Sequence, residues 1–252
     1  MKIGAQLFTI RKFAQDEEGI AASFKRIADI GFKTAQVSAL GPIAPEKLRD
    51  ISQSTGVEVI ITHTSPLRIL EDTDNVIKEH KIFGCNYVGV GCMPGLVSPE
   101  TTAKYIKEFV PAAQTLKENG CKLFYHNHHW EFSRLENGQL VLDRLMEAFP
   151  AELMSFTLDT YWAQYGGADP AQVISRLAGR GECIHLKDMT IVGSDQRMAP
   201  VGSGNLNFDR IISAAESIGT EYLLVEQDNC YEEDPFDCLK KSYDYLRSMG
   251  LK

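Results

Sequence analysis

Three residues able to bind a metal or move a proton stand where short apolar runs end. Asp159 closes MSFTLD, His185 lies in CIHLKD and Glu226 closes YLLVE. A strand buried on both faces reads as an almost continuous apolar run. A carboxylate or imidazole at its tip costs desolvation free energy unless something pairs with it. Three such tips in successive runs point to one shared partner, and a divalent cation is the simplest. Side chains alternate faces along a strand. Thr157 and Asp159 therefore share a face, as do His185 and Lys187, and Glu226 and Asp228, while Phe156, Leu158, Ile184, Leu186 and Val225 take the other. Two carboxylates and an imidazole form a mixed nitrogen–oxygen set suited to Mn²⁺, Mg²⁺, Co²⁺ or Zn²⁺. The lack of cysteine in that set argues against a purely structural zinc.

A further polar strand end reads Tyr125-His126-Asn127-His128-His129-Trp130-Glu131. His126 and His128 share a parity, and Glu131 lies just past the run. This segment is expected to supply a fourth ligand, His126 or else Glu131, or an acid–base group. His63 ends VEVIITH, and Gln6 sits in the first run with Arg11 just beyond. Gln6 and Arg11 could bind substrate hydroxyls or satisfy backbone carbonyls, and His63 and His128 are candidates for the substrate site. Trp162 and Trp130 offer flat faces that suit sugar rings. Arg197 precedes MAPVGSGNLNF, a loop expected to close over a substrate. His80, inside IKEHKIFG, reads as an ordinary helix residue.

These side chains need a frame that gathers strand ends. Eight strand-like runs cover 3–8, 34–39, 57–63, 87–92, 122–127, 153–158, 183–187 and 222–226. Segments of helical spacing separate them, with Gly31, Gly56, Gly84, Gly120, Gly179 and Gly219 as stops and Pro45, Pro99 and Pro170 suited to starts. Eight such units in 252 residues predict an α/β fold, a (β/α)8 TIM barrel spanning 1–252 as one domain. A doubly wound open sheet competes, but the regular repetition favours closure. In such a barrel the active site forms at the C-terminal ends of the strands.

Composition excludes other classes. A net charge of −8 argues against a nucleic-acid partner. No apolar run approaches the ~18 residues of a membrane span, so no membrane partner is expected. MKIGAQLFTIRKF lacks a secretory pattern, and the six cysteines form no CxxC pair, which together read as reduced thiols in the cytoplasm. There is no GxGxxG after the first strand, no Walker sequence and no GxSxG elbow, and VGSG is too short for a nucleotide fingerprint.

GAQLFTIR, ITHT, HKIFGCNYVGVG, YHNHHWEF, LDTYW, HLKD, VGSGNLNF and VEQD together give a resemblance that runs nearly end to end. The chain resembles the xylose isomerase-like barrel superfamily, in its sugar phosphate isomerase/epimerase group. The resemblance implies one divalent ion, Mn²⁺ first among the candidates, held by Glu, Asp, His and Glu. Asp159, His185 and Glu226 match the last three; His126 stands at the place of the first, with Glu131 the nearest carboxylate. In the epimerases that first Glu is also one of two proton-transfer carboxylates. Trp162 stands where DNA-repair endonucleases of this fold carry a ligand histidine, and six histidines in all are too few for their three-zinc set.

The implied activity is metal-dependent sugar isomerisation or epimerisation through an enediolate. Glu226 would move the proton next to the carbonyl, His126 or Glu131 would act on the opposite face, and Lys187 would stabilise the oxyanion. The alternative is a dehydratase or lyase acting on a keto-sugar or keto-inositol by β-elimination, favoured by histidine in place of glutamate. A third is a non-catalytic sugar-binding or partner subunit. A small, non-phosphorylated sugar or keto-sugar is the expected partner, and a homo-oligomer is compatible with the chain.

Overall fold

The nearly continuous apolar runs become strands buried on both faces and close into a parallel barrel. The computed structural model describes all 252 residues. Its strands are β1 (Lys2–Gln6), β2 (Thr34–Val37), β3 (Glu58–His63), β4 (Tyr87–Val90), β5 (Lys122–His126), β6 (Met154–Asp159) and β7 (Cys183–Leu186), then β8 (Asp188–Val192), β9 (Asp195–Ala199) and β10 (Tyr222–Val225). The barrel order is β1-β10-β7-β6-β5-β4-β3-β2, closing on itself, with β8 and β9 apart as a two-stranded hairpin. Helices surround it, so this is the TIM barrel expected. No helix is long and apolar enough to cross a membrane.

One parity of each strand packs outward. Ile3, Ala5, Val59, Val88, Val90, Leu123, Phe156, Leu158, Ile184, Leu186, Leu223 and Val225 join helix residues such as Phe24, Ile27, Phe109 and Leu239 in the main core. The other parity fills a smaller cluster of Ile60, Ile61, Phe124, Cys183 and Leu224, with Tyr87 and Tyr222 against it. The pairing of β2 with β3 skips Ile60, a bulge that adds this residue to the inner cluster. Continuing the inner parity toward the C-terminal ends reaches Gln6, Gln36, His63, His126, Asp159, His185 and Glu226. A plug of apolar side chains thus floors a polar mouth.

Helix boundaries follow the local signals. Asp16 caps Glu17–Ile30, and Ser98 with Thr101 forms a capping box on Pro99–Glu118. All six predicted stop glycines have positive φ. The hairpin is a departure from expectation, since its segment reads as loop. Polar strands DMTIV and DQRMA hide it, and its signal is the Gly193-Ser194 turn between the paired Val192 and Asp195.

Candidate active site at the barrel mouth

His126, Asp159, His185 and Glu226 converge, all buried, with one ligand atom from each lying within 4.8 Å of the others. They come from the ends of β5, β6, β7 and β10. Each carries a second contact that aims it. His126 Nδ1 donates to the Gly91 carbonyl at 2.9 Å. His185 Nε2 donates to Gln36 Oε1 at 2.5 Å. Asp159 Oδ1 accepts the backbone N–H of Trp162 at 3.0 Å, and Glu226 Oε1 accepts from Gln6 Nε2 at 2.7 Å.

These contacts leave His126 Nε2, His185 Nδ1, Asp159 Oδ2 and Glu226 Oε2 facing one another. In a neutral imidazole the nitrogen opposite the donating N–H carries a lone pair. His126 Nε2 lies 3.2 Å from Asp159 Oδ2, and His185 Nδ1 lies 2.9 Å from Glu226 Oε2 and 3.9 Å from Asp159 Oδ2. His185 Nδ1 and Glu226 Oε2 have no aligned hydrogen-bond partner although both are buried. His126 Nε2 and Asp159 Oδ2 are within hydrogen-bond reach of one another, and two ring nitrogens and two carboxylate oxygens this close could share a cation. Two imidazoles and two carboxylates fit a divalent ion, and the outer contacts are those that orient metal ligands.

Lys187 supplies a positive charge at the same place. Its Nζ lies 3.0 Å from Asp159 Oδ2, 3.0 Å from Glu226 Oε2 and 2.7 Å from Asp228 Oδ1. Burial alone would lower its pKa, but Asp159, Glu226 and Asp228 raise it overall, so it is a firm cation. Burial alone would raise Asp159 and Glu226, yet Lys187 beside them holds both below the usual carboxylate range. Asp228 moves the other way, to about 6, through burial and the neighbouring charge of Glu226. Burial and the neighbouring His126 take His63 well below its ordinary value and His128 to about 3, which keeps both neutral.

A cavity of about 240 Å³ opens beside the cluster, lined by Phe8, Ser38, His63, Gly91, Cys92, His126, His128, Lys187, Glu226 and Asp228. Carboxylates and the ammonium occupy its β10 side, imidazoles its β3–β5 side. His63 and His128 thus reach the cavity. Gln6 lies at the mouth but has both amide atoms engaged, with Glu226 and the Phe8 N–H, so it positions Glu226. Trp162 sits behind the mouth, 5.6 Å from Lys187 Nζ and packed with His128, His129 and Tyr165. His128 stacks on Trp130 at 4.6 Å.

Two expected residues lie elsewhere. Glu131, the alternative ligand and candidate proton carrier, is buried on the other side of its segment. Its Oε1 accepts from the Tyr125 hydroxyl at 2.6 Å and its Oε2 from the His128 N–H at 2.8 Å. Tyr125 has the outward parity of β5, so Glu131 follows it away from the mouth and braces the loop. Arg197 sits on β9 over the Tyr231 ring at 4.9 Å and lines no part of the cavity. The hairpin carries it off with its strand.

Gln36, Ser38, Cys92 and Gly91 escaped sequence reasoning, because they come from β2 and β4, whose ends carry no charge. Asp228 had a signal, its shared parity with Glu226. The VGSGNLNF segment also finds its role. Asp188 accepts backbone N–H groups from Gly202 and Gly204 at Oδ2 and from Leu206 at Oδ1, at 3.0, 2.8 and 3.1 Å. This ties the loop to the end of β7. A Cβ on Gly204 would lie 2.4 Å from the Met189 carbonyl oxygen and 2.5 Å from Asp188 Oδ1, so only glycine fits.

Comparison with known proteins agrees with this frame. Inosose dehydratase of Geobacillus kaustophilus is 28% identical over 189 residues, covering 65% of this chain and 60% of that protein. The match therefore spans under two thirds of the relative's length. The crystal structure of a sugar phosphate isomerase/epimerase from Parabacteroides distasonis superposes with a TM-score of 0.81 at 22% identity, over 98% of this chain and 93% of that one. An IolI protein with a bound zinc atom superposes with a TM-score of 0.72 at 13% identity, over 98% and 97% of the two chains. The family model for the xylose isomerase-like TIM barrel matches residues 24–249, and the chain belongs to that family.

Proposed function

We propose that this protein is a divalent-metal-dependent enzyme that moves a proton next to the carbonyl of a small keto-sugar, completing an isomerisation or epimerisation. The observation that carries the reading is the quartet of His126, Asp159, His185 and Glu226, whose ligand atoms gather within 4.8 Å of one another with His126 and His185 each aimed by a second contact. These four residues would hold the ion, Mn²⁺ first, with Mg²⁺, Co²⁺ or Zn²⁺ as alternatives. When bound, such an ion polarises a carbonyl and templates the substrate.

The chain's own groups would do the rest. Glu226 is ionised and lines the cavity, with Oε1 on Gln6 and Oε2 in the quartet, and would act as base for the proton α to the carbonyl only through an oxygen released from one of them. Asp228, raised to about 6, is tuned nearer to neutral pH for proton exchange on the same side. Lys187 would stabilise negative charge developing on the substrate oxygen. His63, His128 and Ser38 would bind hydroxyls on the opposite wall, and the aromatic group of Trp162, Trp130 and His128 would exclude water. His126 would serve as ligand, and as proton carrier only if released from the ion. The ten residues lining the cavity include one cation, Lys187, which is paired with carboxylates, and the substrate is read as non-phosphorylated.

A second reading is β-elimination from a keto-sugar or keto-cyclitol. Two observations favour it: the relative named above is an inosose dehydratase, and the cavity sets carboxylates against imidazoles rather than two opposed carboxylates. Incubating purified, Mn²⁺-loaded protein with free keto-sugars and keto-inositols in D₂O separates the readings. Carbon-bound deuterium without a new chromophore supports isomerisation, and enone absorbance supports elimination. Neither signal with any substrate, in protein shown to bind the metal, would leave only a binding role.

A further inference from the structure

The proposed metal quartet contains a cation already. Asp159 and Glu226 each have one oxygen committed elsewhere, to Trp162 N–H and to Gln6. Their remaining oxygens, Oδ2 and Oε2, are the two that a metal would use, and Lys187 Nζ touches both at 3.0 Å. A divalent ion held by those oxygens and an ammonium 3.0 Å from the same atoms would be neighbouring like charges in a buried site, where repulsion is only weakly screened. The ammonium must give ground. It has somewhere to go: Asp228 Oδ1 is its nearest contact, at 2.7 Å, and lies outside the quartet. Lys187 is 1% exposed, so it reaches no solvent-exposed alternative without opening the site.

We propose that Lys187 is a built-in counter-cation that neutralises Asp159 and Glu226 when no metal is bound and is handed to Asp228 when a divalent ion enters, so that Lys187 and Asp228 together set the metal affinity. This rests on the reading that the quartet binds a divalent ion. The exchange conserves charge balance. Three carboxylates and one ammonium leave a net deficit of two positive charges, which one divalent ion fills. The handover would leave the ammonium on Asp228 alone, and both residues line the cavity, so loading the metal would free Lys187 from the quartet to serve a substrate oxyanion. Lys187 is too strongly paired to act as an amine nucleophile, which leaves this electrostatic role for it.

The test is Mn²⁺ binding to the full-length protein, followed by the electron paramagnetic resonance signal of free Mn²⁺, with the fold of each variant checked by near-ultraviolet circular dichroism. Lys187→Met keeps the length and removes the charge, and should bind Mn²⁺ at least tenfold more tightly than wild type. Asp228→Asn removes the receiving carboxylate and should bind at least tenfold more weakly. In the Lys187→Met background Asp228→Asn should lose most of that effect, since no ammonium remains to be received. If wild type binds Mn²⁺ and Lys187→Met binds it no more tightly, the handover is wrong while the metal-site reading stands. If Lys187→Met fails to fold, Asp228→Asn decides, and affinity equal to or above wild type overturns the inference. Absence of Mn²⁺ binding in every protein overturns both.

Discussion

Gln36 and His185 meet across the barrel mouth, with 2.5 Å between Gln36 Oε1 and His185 Nε2, although their strands β2 and β7 are separated by β1 and β10. That single bond sets the imidazole so that Nδ1 faces Asp159 and Glu226. Partners of this kind commonly change metal affinity ~10–100-fold when removed. Gln36→Leu should therefore weaken Mn²⁺ binding by about one to two orders of magnitude with the barrel intact, as measured by titration calorimetry. Unchanged affinity would mean that His185 does not ligate through Nδ1.

Asp159→Asn and Glu226→Gln each remove a carboxylate oxygen from the quartet and a partner from Lys187. Metal content after purification should fall to background. Turnover should drop by about 10²–10⁴-fold, the range of a lost acid–base or electrostatic group. Folding stability should fall as well, by about 1–3 kcal/mol, because a buried ammonium is left with weaker partners. Full metal occupancy in either variant would remove the quartet from the mechanism.

Glu131→Gln separates a brace from a ligand. The Tyr125 hydroxyl and the His128 N–H both lean on this carboxylate. The substitution should lower stability by about 1–2 kcal/mol and leave Mn²⁺ affinity as in wild type. A large loss of affinity with little change in urea midpoint would return Glu131 to the ligand set.

His80 should make stability pH-dependent away from the mouth. It is buried, its Nδ1 donates to the Val76 carbonyl at 2.7 Å and its Nε2 accepts from Thr62 Oγ1 at 2.9 Å. Burial lowers its pKa to about 4, whereas in the unfolded chain a histidine titrates near ~6.5. Between those values the unfolded state binds more protons than the folded one. The stability tied to neutral His80 is therefore complete above the upper value and declines as pH falls. By the lower value about 3 kcal/mol is gone. Urea unfolding of wild type and His80→Gln from pH 7 to pH 4 should show the variant less stable at pH 7 and the gap narrowing with acid. A constant gap would show that His80 is not the titrating group.

Gly204→Ala should loosen the loop that Asp188 ties to β7. The new Cβ cannot coexist with the Met189 carbonyl and Asp188 Oδ1 at 2.4 and 2.5 Å. A loss of about 1–3 kcal/mol is expected from such overpacking, read as a lower thermal midpoint. Wild-type stability would show that the loop is free to shift.

Much of this was legible beforehand because strand parity is local. Asp159, His185 and Glu226 each end an apolar run in the register that turns them inward, and the barrel follows from eight such runs in succession. The same parity reached Lys187 and Asp228. His126 was readable as a ligand candidate, but its choice over Glu131 was not, since the irregular turn after β5 breaks the alternation that would have placed Glu131. The β8–β9 hairpin was hidden by its polar composition, and with it the displacement of Arg197.

By itself, then, the order of residues determined the barrel, the end at which its polar groups gather and the inward-facing acids and imidazoles, because each depends on short-range periodicity and on the desolvation of charges at strand tips. Only the tertiary structure decided how those groups face one another: Gln36 reaching His185 from a distant strand, Gly91 fixing His126, and Lys187 lying between Asp159, Glu226 and Asp228. Such contacts join residues far apart in the chain, and closure of the barrel, which no local pattern encodes in ångströms, sets their distances.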